Sequence, residues 1–191
     1  MTGRASSCPS TYRPTSSSIR ALSKKVMAIL AANNLPPQRL EIEVTETVFA
    51  GRNDSVLKAL RRLKNLGVKV ALDDFGSGYS SLSYLRRFPF DTLKIDRDFV
   101  SDMNGNPEAE AILVSIIQLG KALGMTIVAE GIETIEQMRF LQAHDCHRMQ
   151  GYFISRPLSA TDMSTFLDAF HGAGSTGFGL DLSYQPRAVE G

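Results

Sequence analysis

Acidic residues in this sequence recur at the ends of apolar segments, a position where α/β enzymes carry catalytic groups. Glu43 lies in "LEIEV", Asp73 and Asp74 follow "VKVAL", and Glu130 and Glu133 follow "MTIVA". Five carboxylates gathered in one partly buried site would repel one another strongly. Divalent cations that take oxygen ligands are the usual means of neutralising such a set. The acidic residues therefore predict a metal site, in which Asp73 and Asp74 are candidates for ligands shared by two ions.

Two further polar residues extend this pattern. Lys94 lies in "TLKID", where its apolar neighbours predict a strand that is buried on both faces. A lysine in that place could orient a metal-bound water or neutralise a phosphate oxygen. Gln150 takes the equivalent place in the last apolar segment, "HRMQG". We expect both side chains to point toward the carboxylates.

Other polar residues have plainer explanations. An aspartate that follows a strand is most often the cap of a helix, and this explanation covers Asp96, Asp98 and Asp102. The three histidines, His144, His147 and His171, show no metal-ligand spacing on one helix face. We assign them to the surface or to packing.

The segments that must position the acidic residues alternate between two periodicities. Strand-length apolar runs cover residues 39–44, 68–72, 91–95, 125–129 and 147–155. Helical patterns cover residues 19–34, 53–67, 107–124, 134–144 and 159–170. Helix signals support these bounds, since Pro107 stands at a start, Gly67 and Gly124 stand at ends, and Ser159 or Thr161 can cap the last helix. About five β-α units result.

This alternation predicts parallel strands covered by helices, because parallel neighbours need crossover connections. The architecture could be an open doubly wound sheet or a β/α barrel. No G-x-G-x-x-G fingerprint follows the first strand, which weakens the nucleotide-binding sheet. Barrels place their working residues at the carboxyl ends of strands, as in this pattern.

Composition and charge exclude several classes of protein. The 191 residues are 43% hydrophobic and 21% charged, which is ordinary for a globular domain. A net charge of +1 gives no field that attracts nucleic acid polymers or anionic membranes. No apolar run reaches the roughly eighteen residues of a membrane helix. Cys8 and Cys146 stand far apart without a signal peptide, which favours the cytoplasm.

The two ends of the chain differ from the middle. Residues 1–18 are rich in Ser, Thr and Pro, and we interpret them as a disordered or unrelated leader. Residues 171–191 are rich in glycine and are expected to form a flexible tail. The folded domain is therefore expected over residues 19–170.

The motifs in this middle part closely resemble those of the EAL domain family of bacterial cyclic di-GMP phosphodiesterases. The similar segments are, in order, "LEIEVTET", "DDFGSGYSSL", "LKID", "AEGIET" and "QGYFISRPL". The resemblance implies a TIM-type β/α barrel that uses Mg²⁺ or Mn²⁺ to hydrolyse cyclic di-GMP to pGpG. It also implies sensory or GGDEF domains upstream in the parent protein.

The resemblance also implies roles for individual residues. Glu43, Asp73, Asp74 and Glu130 look like the metal ligands of the family. Lys94 resembles the residue that positions the attacking water, and Glu133 and Gln150 resemble residues that support the site and contact water or substrate. Glu46 resembles the residue that anchors the "DDFGSGYSSL" loop.

The sequence departs from the family pattern in its first part. It contains no E-A-L tripeptide, and "STYRPTSSS" stands where the family has an N-x-S segment, although both segments supply metal ligands. We therefore expect an N-terminally truncated domain with about five of eight β-α units and impaired activity. An open barrel would leave its first and last strands unpaired, and a second copy or another chain could cover them.

Three other functions stay open at this point. The chain could bind cyclic di-GMP or a partner without turnover, as a regulatory module. It could be a remnant without function. Carboxylates together with a lysine would also suit a barrel enzyme that forms enolates, although "QGYFISRPL" and "DDFGSGYSSL" argue against it.

Overall fold

Strands and helices alternate in the structure, a computed structural model, as the sequence predicts. It describes residues 16–46, 54–76, 85, 88–146 and 148–172, with the backbone alone for residues 16–22, 54, 55 and 169–172. Three predicted segments lie outside the described residues in whole or in part. They are the leader apart from residues 16–18, the tail beyond residue 172, and most of the "DDFGSGYSSL" loop.

The chain divides into two compact units, which are described separately below. Unit 1 comprises Met1–Lys94 and Gly120–Thr126, and unit 2 comprises Ile95–Leu119 and Ile127–Gly191.

The described strands form one five-stranded sheet. They are β1 (Glu41–Thr45), β2 (Lys69–Phe75), β3 (Thr92–Ile95), β4 (Thr126–Ala129) and β5 (Arg148–Met149). Their order in the sheet is their order in the chain, β1-β2-β3-β4-β5. A doubly wound sheet reverses its strand order at a switch point, whereas a β/α barrel adds each new strand beside the last. The fold is therefore α/β with barrel-type order, and five of a barrel's eight strands are described.

The strand pairs are parallel where their register is defined. β1 pairs with β2, with Glu43 opposite Ala71 and Thr45 opposite Asp73. β4 pairs with β5, with Ala129 opposite Met149. Parallel pairing brings the carboxyl ends of neighbouring strands to the same edge of a sheet.

Six α-helices have bounds within the described residues. They are α1 (Ser16–Ala32), α2 (Asp54–Asn65), α3 (Arg97–Asp102), α4 (Pro107–Ala122), α5 (Ile135–Ala143) and α6 (Ala160–Gly172). None of the described helices is both long enough and apolar enough to cross a membrane.

Local signals in the sequence explain where these helices begin and end. Pro107 is the first residue of α4, and the Ser159 hydroxyl accepts a hydrogen bond from the Asp162 N–H at 3.2 Å ahead of α6. Gly67 and Gly124 follow α2 and α4 with φ of 94° and 73°, a left-handed conformation that favours glycine. The predicted helix signals at these four positions are confirmed.

Four predictions about the elements need correction. β5 ends at Met149 rather than at residue 155, because Ile154 and Ser155 donate their N–H groups back to the Gly151 carbonyl and form a turn. β2 continues through Phe75, so both aspartates of "DDF" lie inside the strand. The sequence pattern also missed α3, a helix of six residues that is too short to show a period. Finally, β1 begins at Glu41 rather than at residue 39, because Pro37–Arg39 form a 3-10 helix.

The core of unit 1 packs α1 and α2 against the sheet. Leu30, Leu63 and Val68 form one buried cluster, and the partly buried residues Val26, Met27, Leu40 and Ile42 pack against it. Fully buried residues of β2 and β3, such as Val70 and Leu93, continue the apolar core of this unit. Burial of this apolar surface supplies most of the favourable free energy of folding. It also fixes the positions of β1, β2 and β3, which carry Glu43, Asp73 and Lys94.

The core of unit 2 is separate in sequence and similar in composition. Its largest fully buried side chains are Ile95, Val100, Leu113, Ile117, Ile132, Leu141 and Cys146. Asp96 caps α3 by accepting a hydrogen bond from the Asp98 N–H at 2.8 Å, so the cap explanation given for Asp96 is confirmed.

Candidate functional site

The alternation of strands β1 and β3 brings polar side chains of unit 1 to one face of the sheet. Glu41 and Glu43 are two residues apart on β1, and Thr92 and Lys94 are two residues apart on β3. The Thr92 hydroxyl donates to Glu41 Oε2 at 2.7 Å, and Lys94 Nζ lies 2.9 Å from Glu43 Oε2. Both contacts reach across β2, where the small and fully buried Ala71 stands opposite Glu43. The register of the sheet therefore positions these charged groups.

Lys94 contacts two of the predicted metal ligands. Its Nζ atom lies 2.8 Å from Asp73 Oδ1, in addition to the contact with Glu43. The Lys94 side chain is only 12% exposed, whereas those of Asp73 and Glu43 are 20% and 50% exposed. A lysine loses hydration when it is buried to this extent, and the two carboxylates offset that cost. We call these three residues the ion cluster.

One carboxylate oxygen of the ion cluster is incompletely satisfied. Asp73 Oδ1 is buried and accepts no well-aligned hydrogen bond, although the Lys94 ammonium is 2.8 Å away. The contact is thus an ion pair by distance without a directed N–H···O geometry. A buried carboxylate oxygen in this condition retains the capacity to bind a further donor or a cation.

The backbone at the adjacent aspartate is unusual. Asp74 has a φ of 52°, which places a non-glycine residue in the left-handed region within β2. Successive side chains of a regular strand point to opposite faces, and a left-handed residue breaks that alternation. The side chains of Asp73 and Asp74 are therefore not related by the geometry of a regular strand. Residues in such conformations cluster at functional sites.

Glu46 lies against the residue that follows β2. Its Oε1 accepts a hydrogen bond from the Gly76 N–H at 3.3 Å, and both residues are partly buried. Gly76 has a φ of 100°, a conformation that favours glycine. Glu46 thus contacts the start of the predicted loop, whose next residues lie outside the described range.

In unit 2, backbone hydrogen bonds hold the segments that carry Glu130, Glu133 and Gln150. The Gln150 N–H donates to the Ala129 carbonyl at 2.9 Å, and the Ile132 N–H donates to the Gln150 carbonyl at 3.1 Å. The Glu130 N–H donates to the Ile95 carbonyl at 3.2 Å. The side chain of Glu130 is partly buried, and those of Glu133 and Gln150 are exposed. We call residues 129–134 the EGIET turn.

The side chain of Gln137 supports this turn, and the sequence interpretation missed it. Gln137 is 2% exposed; its Oε1 accepts from the N–H groups of Glu133 and Thr134 at 2.8 and 3.1 Å. Its Nε2 donates to the Val100 carbonyl at 3.1 Å, and its backbone N–H donates to the Thr134 hydroxyl at 3.3 Å. The spacing T-x-x-Q in "TIEQ" is the signature of such a capping box and could have revealed it.

Two glycines make the close packing of unit 2 possible. A Cβ atom on Gly151 would overlap the backbone of Ile132, and a Cβ atom on Gly131 would overlap the side chain of Arg97. Gly131 also has a φ of 71°. The "EG" and "QG" pairs of the sequence therefore join a polar residue to a glycine that permits close backbone approach.

The arrangement brings some predicted residues together and leaves others apart. In unit 1, Glu43, Asp73 and Lys94 meet, and Asp74 is adjacent in the chain. In unit 2, Glu133 and Gln150 lie on segments joined through Ile132. Over the described part of the chain, no three or more His, Cys, Asp or Glu residues are grouped so that they could hold a metal ion. The two carboxylates of the ion cluster offer oxygen atoms, which are the ligands that hard divalent cations prefer.

A protein-family model matches most of the chain. The model is that of the EAL domain, and it matches residues 13–157. Among curated proteins, the chain is similar to cyclic di-GMP phosphodiesterase NbdA of Pseudomonas aeruginosa. The two are 44% identical over 131 residues, which are 69% of this chain and 17% of NbdA. The chain spans a fifth or less of the length of the first three curated relatives, 20%, 17% and 17%.

Solved structures show the same similarity in three dimensions. The EAL domain of Mycobacterium smegmatis DcpA is 40% identical with a TM-score of 0.73, over 78% of this chain and 67% of that chain. The manganese and cyclic di-GMP complex of Klebsiella pneumoniae BlrP1 is 39% identical with a TM-score of 0.69, over 74% of this chain and 37% of that chain. A calcium and cyclic di-GMP complex of BlrP1 is also similar, with a TM-score of 0.68. The motifs, the strand order and the family match agree, and the chain belongs to the EAL domain family.

Proposed function

We propose that this chain binds cyclic di-GMP together with divalent cations and hydrolyses one phosphodiester bond to give linear pGpG. The observation that carries this proposal is the ion cluster, in which Lys94 lies within 3 Å of both Glu43 and Asp73 at the carboxyl ends of parallel strands. The name of NbdA as a cyclic di-GMP phosphodiesterase supports the choice of substrate.

The chemistry of the donor set supports binding of Mg²⁺ or Mn²⁺. Glu43, Asp73, Asp74 and Glu130 would hold the ions, as the family resemblance implies, and all four supply carboxylate oxygens. Asp73 Oδ1 is buried and has no aligned hydrogen bond, so it retains the capacity to bind a cation. The manganese in the BlrP1 complex supports the same class of ion for this chain.

The proposed reaction divides the work among the residues of the site. Bound divalent cations would neutralise the phosphate charge and lower the pKa of a coordinated water. The water oxygen would bond to phosphorus and release a proton to solvent. The bond from phosphorus to one ribose oxygen would break, and that oxygen would take a proton from solvent and leave as a hydroxyl group. Lys94 would orient the water or stabilise a phosphate oxygen. Glu133 and Gln150 would support the site, and Glu46 would anchor the loop after β2.

A hydrolysis assay tests this proposal directly. The full chain is incubated with cyclic di-GMP and Mn²⁺, and pGpG is measured by chromatography. We expect product from the unaltered chain and a loss of about 100-fold or more in Asp73→Asn, since a metal-ion contact is worth several kcal/mol in the transition state. The matched control is Asp168→Asn, the same change at an exposed position on α6, which should keep full activity. Absence of pGpG at high protein concentration would refute hydrolysis by this chain.

A second candidate is binding of cyclic di-GMP without turnover. It is favoured by the position of Lys94, whose ammonium group already contacts two of the carboxylates proposed as metal ligands. Calorimetry with cyclic di-GMP and Ca²⁺ measures binding, and the hydrolysis assay measures turnover. Together they distinguish hydrolysis, binding without turnover, and the absence of both. Heat of binding in the absence of pGpG production would support this second function, and the absence of both would refute each of them.

The expectations about partners and location are also proposals. We infer that the protein acts in the cytoplasm, because its two cysteines, Cys8 and Cys146, stand far apart and suit a reducing compartment. A second copy of this chain or another chain is proposed as a partner, and sensory or GGDEF domains are proposed upstream in the parent protein. Size-exclusion chromatography with light scattering tests the dimer, since a monomer at all concentrations would exclude it.

A further inference from the structure

The ion cluster already contains a cation, which is the ammonium group of Lys94. Its Nζ atom lies 2.9 Å from Glu43 Oε2 and 2.8 Å from Asp73 Oδ1. The same two carboxylates are proposed above as metal ligands. The lysine and the divalent ion would therefore contact the same two carboxylates.

Two cations that contact the same two carboxylates repel each other. Divalent ions of this class bind oxygen at about 2.0–2.6 Å, so an ion that contacts both carboxylates would approach the ammonium group closely. Like charges at that separation repel strongly, and more so where burial limits screening by water. Lys94 is 12% exposed, so this repulsion favours its withdrawal from at least one of the two carboxylates.

Resting on the function proposed above, we propose that Lys94 is the resident counter-ion of Glu43 and Asp73. It holds the two carboxylates together in the absence of metal, and it competes with the divalent cation for them. Lys94 then has two positions, one between the carboxylates and one withdrawn from at least one of them. In the withdrawn position its N–H groups become available to a substrate phosphate or to water. Metal entry would thereby release the lysine for its role in the reaction.

Measurement of metal affinity tests the competition without any assay of activity. Mn²⁺ alone is titrated into the full chain and into Lys94→Met, and binding is followed by calorimetry and by the loss of the free-ion signal in electron paramagnetic resonance. Methionine removes the charge and keeps a long apolar stem. We expect Lys94→Met to bind Mn²⁺ at least about tenfold more tightly, because the ion no longer displaces a cation from its ligands.

The chain offers a matched control in unit 1. Lys64 is also partly buried and also forms an ion pair, with its Nζ atom 2.7 Å from Asp91 Oδ1. Asp91 Oδ2 accepts a hydrogen bond from the Val70 N–H at 2.9 Å, near the amino end of β2, whereas Asp73 lies near its carboxyl end. Lys64→Met makes the same chemical change away from the ion cluster and should leave Mn²⁺ affinity unchanged.

The outcomes separate this inference from the proposed function. Equal or weaker Mn²⁺ binding by Lys94→Met than by the unaltered chain would overturn the role of Lys94 as a competing counter-ion, while metal binding itself would stand. A similar gain in Lys64→Met would also overturn it, since the effect would then reflect net charge alone. Absence of Mn²⁺ binding in every form of the chain would refute the proposed metal site and this inference with it.

A second measurement uses the unaltered chain and does not depend on how a variant folds. Lysine side chains are acetylated with and without Mn²⁺, and the extent at each lysine is read by mass spectrometry. We expect Mn²⁺ to raise acetylation of Lys94 several-fold and to leave that of Lys64 unchanged. No change at Lys94 under conditions where calorimetry shows Mn²⁺ binding would contradict the proposal.

Discussion

The ion cluster of unit 1 and the EGIET turn of unit 2 carry predicted site residues in two different ways. In the ion cluster, side chains from three strands meet through charge, and Lys94 contacts both carboxylates. In the turn, backbone hydrogen bonds and the buried Gln137 amide hold the chain. The side chain of Glu133 in the turn is exposed, as is that of Gln150 on the segment hydrogen-bonded to it. Charge pairs with partial exposure contribute little to stability, whereas buried hydrogen bonds and close backbone packing contribute more. The comparison shows that charge brings the side chains of the ion cluster together, whereas buried hydrogen bonds and close packing hold the turn in unit 2.

Gly151→Ala is expected to cause the largest loss of stability and would test whether close packing supports unit 2. The added methyl group would overlap the backbone of Ile132, so the turn and β5 must separate. Overpacking against backbone should lower the free energy of unfolding by about 3 kcal/mol, measured by denaturant unfolding. Gly105→Ala is the control, because its Cβ atom would meet nothing within 4 Å. Its φ of 71° limits the cost to roughly 1–2 kcal/mol of left-handed strain. Equal losses in the two variants would show that the close approach at Gly151 is unimportant.

A smaller loss of stability is expected from Gln137→Ala. The change leaves the N–H groups of Glu133 and Thr134 and the Val100 carbonyl without their partner. Buried unsatisfied groups should lower the free energy of unfolding by about 2 kcal/mol. Amide hydrogen exchange should also become faster at Glu133 and Thr134. Gln118→Ala, the same change at an exposed position on α4, serves as the control and should be nearly neutral. An effect of Gln137→Ala no larger than that control would break the contrast between the two regions.

The smallest loss of stability is expected from Lys94→Met in the absence of metal. The change leaves Glu43 and Asp73 without the Lys94 charge, but Glu43 is 50% exposed and remains hydrated. The free energy of unfolding should therefore fall by only about 1 kcal/mol, less than for a fully buried pair. Thermal melting with and without Mn²⁺ measures the effect, and Mn²⁺ should stabilise this variant more than the unaltered chain. A loss as large as that in Gly151→Ala would mean that the ion cluster is a main support of unit 1.

The periodic parts of the fold could be predicted from the sequence. The five strands and the helices between them follow from apolar spacing, and the signals at Pro107, Gly67 and Gly124 set helix ends correctly. The last strand was overextended because "YFI" is apolar, whereas backbone hydrogen bonds to Gly151 close a turn there. α3 was missed because six residues are too few to establish a period. Local hydrogen bonding decides these short segments, and a pattern of hydrophobicity does not record it.

The candidate site could be predicted only in part. The types and places of Glu43, Asp73 and Lys94 indicated a charged edge, and the family resemblance assigned roles to them. The contact of Lys94 with both carboxylates depends on the register that sets Glu43 opposite Ala71, which no local pattern contains. Gln137 was missed because its importance comes from its partners in the fold, including Val100 on α3. Residue identity therefore indicated the chemistry, and tertiary geometry decided which groups meet.

The left-handed backbone at Asp74 has a consequence for mutagenesis of the two aspartates. A φ of 52° is tolerated by asparagine nearly as well as by aspartate, whereas alanine in that conformation incurs a steric penalty of roughly 1–2 kcal/mol. An alanine scan at this position would thus change both the charge and the path of the main chain. Asparagine removes the charge alone, and glycine relaxes the main chain while removing the side chain. Comparing these two replacements would reveal how much of the contribution of Asp74 comes from its carboxylate and how much from the bend that it imposes on the strand.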